Sequence, residues 1–236
     1  MLSPRHELHV RPGLLSDFIL GSQDGLVNVL GILLGLSAAG AEPRIILIAA
    51  LAALGAESVS MGAVAYTSTL ARRNLYLAEV QRELAEMKEM PDAEREEVRT
   101  IFRNWGYAGD ELEEMVRKVE AKPKAMLDLM MAFELNLASV PDTAPRKSAL
   151  LVFSATVVGS FIPMVPYLAA YVVPGLTTLA SAVTAVTVSA IALFLIGWFE
   201  AKTTIGSLWQ GGLRMLLIGM GAGLAGYLIG LAAGYH

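Results

Sequence analysis

Five stretches of this chain, residues 17–36, 45–70, 149–173, 176–199 and 213–233, are each about 20 residues or longer and nearly free of charge. An α-helix needs about that length to cross a hydrocarbon layer roughly 30 Å thick. The fold class that follows is an all-α integral membrane protein with five transmembrane helices. Composition agrees: 55% of residues are hydrophobic, 17% are charged, and the mean hydropathy is +0.54, outside the range of an ordinary soluble domain. The lipid bilayer is therefore the chain's first partner, and with a net charge of −4 nucleic acid is not expected as another. An odd number of spans puts the termini on opposite sides. Of the 18 basic residues, 17 fall on one side if the N-terminus is inside, and only Arg44 falls outside. The positive-inside bias thus predicts a cytoplasmic N-terminus, an external C-terminus and a cytoplasmic segment between the second and third spans. No cleavable signal peptide is expected, because the first apolar run follows Asp17 directly and carries Asp24. With no cysteine, disulfides and thiolate ligands are excluded.

The first span breaks the pattern. Asp17 and Asp24 sit where lipid is expected, and an ionised side chain there is costly unless it faces protein or water. At helical spacing Asp17, Gly21, Asp24, Asn28, Gly31 and Gly35 fall on one narrow polar stripe, fit to line an ion pathway. The second span repeats the anomaly with Glu57, Ser60, Met61 and Tyr66. Glu57 and Met61 are one turn apart, so a carboxylate oxygen and a thioether sulfur can converge. A lone Met in such a helix reads as core packing. Beside an intramembrane Glu and opposite Asp24 it reads equally as a ligand, one that disfavours Mg2+ and Ca2+ relative to borderline transition metals.

Residues 72–147 form a hydrophilic insert with 13 basic and 16 acidic residues, which divides the chain into 1–71, 72–147 and 148–236. Breaks at 90–92, 106–109 and 141–145 predict three helices, about 72–89, 92–105 and 110–139, with Asp92 and Asp110 as caps and Pro123 bending or splitting the third. Glu79, Glu83 and Glu86 share a face of the first helix, Glu94 and Glu97 a face of the second, and Met130, Met131 and Glu134 stand on the third. Singly, such pairs are solvated surface. Brought together, they would raise one another's pKa values unless a cation neutralised them, which makes the insert a candidate metal-binding domain.

The remaining spans lack such clusters. Pro163 and Pro166 are expected to kink the third span, Glu200 and Lys202 to pair or snorkel at the end of the fourth, and Gly219, Gly223, Gly226, Gly230 and Gly234 to give the fifth a small-residue track for close packing. His6 and His9, near the N-terminus, read as a solvated terminal segment.

Taken together, Asp17-Phe-Ile-Leu-Gly-Ser-Gln-Asp24-Gly25, Ala56-Glu57-Ser-Val-Ser60-Met61-Gly62, the glutamate-rich insert and the glycine-rich last helix resemble the vacuolar iron transporter family, which includes a yeast vacuolar calcium and iron carrier. The resemblance implies a proton-coupled exporter (an Fe2+/H+ antiporter, also accepting Mn2+) that works as a homodimer with the ion path between two copies of the first helix. It further implies that Asp24 and Met61 form the intramembrane metal site, with Glu57 nearby and Asp17 at the cytoplasmic entrance, and that Glu83, Glu86, Glu94, Glu97, Met130, Met131 and Glu134 bind metal in the cytoplasm. Glu79 is added from spacing alone. Co2+, Ni2+ and Zn2+ suit the same donors. No sorting signal to an organelle is visible, so a prokaryotic plasma membrane is the expected location. Two other readings compete. A metal sensor has no use for carboxylates at mid-membrane. A membrane-tethered di-iron oxidase needs Glu-x-x-His pairs on a four-helix bundle, and the histidines are only His6, His9 and His236.

Overall fold

The computed structural model describes residues 12–173 and 175–234; His6, His9 and His236 lie outside them. Eight helices, and no strand among the described residues, account for the architecture: α1 Pro12–Ala38, α2 Pro43–Glu89, α3 Pro91–Asn104, α4 Gly109–Glu120, α5 Pro123–Phe133, α6 Ala144–Val172, α7 Thr178–Thr203 and α8 Leu208–Ala233. Of these, α1, α2, α6, α7 and α8 are long and apolar enough to cross a membrane, and the protein is a multi-pass membrane protein. Proline and glycine set the boundaries. Proline opens α1, α2, α3 and α5, where its fixed φ fits and its missing N–H is not needed. Gly40, at φ +76°, lets the chain leave α1 in a conformation that a side chain resists.

The insert departs from the expected three helices. Its first helix is the continuation of α2, which runs unbroken for 47 residues, or about 70 Å, because nothing between Leu70 and Glu89 breaks a helix. The expected third helix is two: α4 ends at Glu120 and Pro123 starts α5, which finishes at Phe133 rather than near residue 139. Asp92 and Asp110 are not caps. Met90 and Ala108 hold the cap positions without side-chain bonds, and the two aspartates lie in the first turns, where their charge meets the positive end of the helix.

By its contacts the chain divides into two compact units, at Tyr66/Thr67 and at Pro145/Arg146. In the membrane unit, Val29, Leu30, Leu33, Ile46, Leu47, Met164 and Ala185 form a buried core. Outward residues such as Leu150, Val158, Leu217 and Ile229 are apolar and 62–70% exposed, the composition a lipid-facing surface requires. In lipid, helices are held by close packing more than by the hydrophobic effect, and glycine provides it here. A Cβ on Gly21 would lie 2.6 Å from Val152 O of α6, and one on Gly35 2.9 Å from Gly226 O of α8. The glycine track of α8 therefore meets α1 of the same chain. Pro163 and Pro166 lie inside α6, which continues as one helix, and Tyr167 on that helix is 2.8 Å from Ser37 Oγ of α1. Glu200 does not pair with Lys202. It bonds Arg214 of α8 at 2.9 Å, while Lys202 sits over the Trp198 ring.

The inserted unit has its own core of Val98, Phe102, Leu112, Val116, Met126 and Met130. Arg95 with Glu120, and Arg99 with Glu113, fasten α3 to α4.

Candidate metal centres

Two groups of carboxylates stand out, one in each unit. In the membrane unit, Asp24 and Asn28 are one turn apart midway along α1, and Glu57 is midway along the apolar half of α2. The Asn28 side chain joins them: its Nδ2 donates to Asp24 Oδ1 at 3.4 Å and also to Glu57 Oε1. Glu57 Oε2 is buried and accepts no hydrogen bond among the described residues. Met61 follows Glu57 by one turn and is half-buried. Asp17, also half-buried, lies two turns before Asp24 on α1, about 10 Å along the axis. The polar stripe of α1 thus has two fates. Gly21 is covered by α6, whereas Asn28, Gly31 and Gly35 line an open groove of about 450 Å3 with Ala222, Gly226 and Gly230 of α8.

In the inserted unit the glutamates sort by partner. Glu96 and Glu113 are bonded to Arg99, which holds both carboxyls below the usual range. Glu83 and Glu94 are different: they are 1% and 2% exposed, and an Oε2 of each is buried without a hydrogen bond. One carboxylate oxygen from each of Glu83, Glu86 and Glu94 lies within 4.8 Å of the others, close enough to converge on one cation. Burial pushes the Glu83 carboxyl up, reinforced by the charges of Glu86 and Glu97. Burial and then Glu97 take Glu94 up to about 7. Desolvation against its neighbours, followed by the charge of Glu97, takes the more exposed Glu134 to about 7 as well. Glu97 and Glu134 line a small cavity of about 250 Å3 beside the cluster. Burial raises the carboxyls of Glu83 and Glu94, and a cation placed between them would favour their ionised forms.

Other expected residues stand at the edge of this arrangement. Glu79 is held by Arg82, which forms ion pairs with Glu79 at 2.9 Å and Glu86 at 3.6 Å. Met130 and Met131 are buried, and Met130 packs in the apolar core against α3 and α4. Asn28 stands on the polar stripe that spacing alone defines, but spacing does not mark it as a bridge to α2. Arg82 carries no signal, since a basic residue among glutamates reads as surface.

The sequence profile of the VIT family matches residues 15–231, nearly the whole chain. The chain belongs to the VIT family. Several of its relatives carry more specific names. It is 31% identical over 228 residues to vacuolar iron transporter 1 of Eucalyptus grandis, covering 96% of this chain and 90% of the relative. It is 32% identical over 235 residues to the vacuolar iron transporter of Centaurea cyanus, covering 99% and 93%. With vacuolar iron transporter 1 of Arabidopsis thaliana it shares 32% over 205 residues, covering 86% and 80%. Similarity on this scale extends through the membrane unit and the insert alike.

Proposed function

We propose that the protein is an Fe2+/H+ antiporter that exports iron from the cytosol and also accepts Mn2+. The observation that carries this reading is the group formed by Asp24, Asn28 and Glu57, halfway along two helices long and apolar enough to cross a membrane. Charged groups are kept at such a depth when an ion passes them. The names of the relatives support iron as the substrate. In this mechanism Fe2+ gathers on Glu83, Glu86, Glu94, Glu97 and Glu134 on the cytoplasmic side and passes Asp17. It then binds Asp24 and Glu57, with the Met61 sulfur as a soft ligand. Protons returning from outside occupy the same carboxylates once the metal leaves, and competition for one site couples the two fluxes. Two copies of the chain, α1 facing α1, would close the open groove beside Asn28 into a path, so the active form is a homodimer. The distribution of Lys and Arg supports a cytoplasmic N-terminus and insert, and we place the protein in a prokaryotic plasma membrane.

The test is Fe2+ uptake into liposomes holding the purified protein, with and without a pH gradient. Uptake is expected to follow the gradient in wild type and to vanish in Asp24→Ala. Equal uptake by the two proteins would sink the assignment. The di-iron oxidase loses one objection, since the insert has four helical segments rather than three, but it still has no histidine between residues 67 and 145.

A further inference from the structure

We propose that the Asn28 carboxamide occupies the cation's position between Asp24 and Glu57 in the empty protein, and turns over to give its carbonyl oxygen to the ion when one binds. The inference rests on the reading of Asp24 and Glu57 as ligands of the transported ion. Its basis is geometric. A single nitrogen, Asn28 Nδ2, faces a carboxylate oxygen of Asp24 on α1 and another of Glu57 on α2. The two N–H groups carry the partial positive charge that a metal ion would supply in full, and a carboxamide nitrogen has two hydrogens to give. A cation entering between the carboxylates must displace this NH2 group.

Displacement needs no rearrangement of the helices. Rotation by half a turn about the Cβ–Cγ bond exchanges Nδ2 and Oδ1, which are nearly the same size, and the corresponding torsion of asparagine is broad and roughly two-fold. The exchange turns a donor into an acceptor at one point in space. Asp24, Glu57 and Asn28 then offer three oxygens, and Glu57 Oε2, which has no hydrogen bond to lose, adds a free lone pair. Asn28 also lines the open groove between α1 and α8, so the turning group borders a space through which an ion can approach.

The experiment measures KM for Fe2+ in liposomes for wild type, Asn28→Leu, Asn28→Asp and Asp24→Ala. Leucine keeps the volume and provides neither donor nor acceptor, so KM is expected to rise at least tenfold. Aspartate cannot donate when ionised but presents an oxygen in either orientation, and its KM is expected at or below that of wild type. If Asn28 only clamps the helices by donating hydrogen bonds, aspartate fares as badly as leucine. A raised KM in Asn28→Asp, failure of that variant to fold, or a wild-type KM in Asn28→Leu would each overturn the proposal. Should the leucine variant not fold, the aspartate result decides alone. Wild-type uptake by Asp24→Ala would instead overturn the ligand reading on which the proposal rests, so the two failures are distinguishable.

Discussion

Replacing Glu94 by glutamine keeps the volume of a buried side chain while removing its titration. In the folded protein Glu94 is 2% exposed and its carboxyl is pushed from an ordinary 4.5 to about 7, first by burial and then by the charges of Glu97, Glu83 and Glu86. A shift of that size corresponds to roughly 3 kcal/mol of preference for the protonated form. Solvent reaching the rest of the cluster screens part of this, leaving about 1–2 kcal/mol. The sign is the reverse of the usual carboxylate case. Because the folded state holds the proton more tightly, its contribution is fully present below about 4.5 and is lost as pH rises through about 7. Metal-free Glu94→Gln protein should therefore match wild type at pH 5 and exceed it at pH 8, by roughly 5–10 °C in the midpoint of the inserted unit. The assay is thermal unfolding of the detergent-solubilised full-length protein followed by fluorescence. Trp105, the tryptophan of that unit, is the reporter, read against Trp198 and Trp209 of the membrane unit. Added Fe2+, kept reduced, should stabilise wild type more than the variant. A variant less stable than wild type by the same amount at both pH values would show instead that the Glu94 carboxylate is well solvated or well paired.

Fe2+ binding to the solubilised protein should weaken by up to about tenfold per displaced proton for each pH unit below about 7, where protons on Glu94 and Glu134 compete with the ion; isothermal titration at pH 6, 7 and 8 measures this. Arg82→Gln removes the cation that engages Glu79 and Glu86 and should tighten Fe2+ binding several-fold in the same titration. Gly226→Leu places a side chain where the backbone of Gly31 is 2.5 Å from a Cβ. It should separate α1 from α8 and destabilise the membrane unit by at least about 1–3 kcal/mol, seen as early loss of the monodisperse peak on heating.

Much of this architecture is legible because lipid imposes simple rules. The five spans can be read from their apolar runs, since a helix is the natural way for a single apolar segment to satisfy its backbone across a bilayer. Pro123 shows where the expected third helix divides, because proline removes a hydrogen bond from a helix interior. What escaped depends on features without a local signature. The switch from apolar to charged residues at Arg72 ends the apolar run without breaking the helix, so α2 reads as two helices although its backbone is continuous. Asp92 and Asp110 look like caps by residue type, but Pro91 and Gly109 begin the helices one residue earlier. The glycine track of α8 announces close packing without naming its partner, which is fixed only when Gly226 meets Gly35 across the bundle. At the candidate sites, the acidic residues show themselves by type and spacing. Their sorting into paired and unpaired groups does not, because Arg99 reaches Glu113 on another helix while Oε2 of Glu83 and of Glu94 has no hydrogen-bond partner among the described residues. Asn28 is the sharpest example: its bond to Glu57 spans 29 positions, beyond any pattern along one helix.

In the proposed mechanism one group of side chains at mid-membrane carries both iron and protons. The most direct measurement follows Fe2+ and internal pH in the same liposomes, with an iron-sensitive and a pH-sensitive dye trapped together. Fe2+ entry is expected to be accompanied by proton exit in fixed proportion, and both are expected to stop in Asp24→Ala. Fe2+ entry without proton movement, or coupled movement that survives Asp24→Ala, would contradict it.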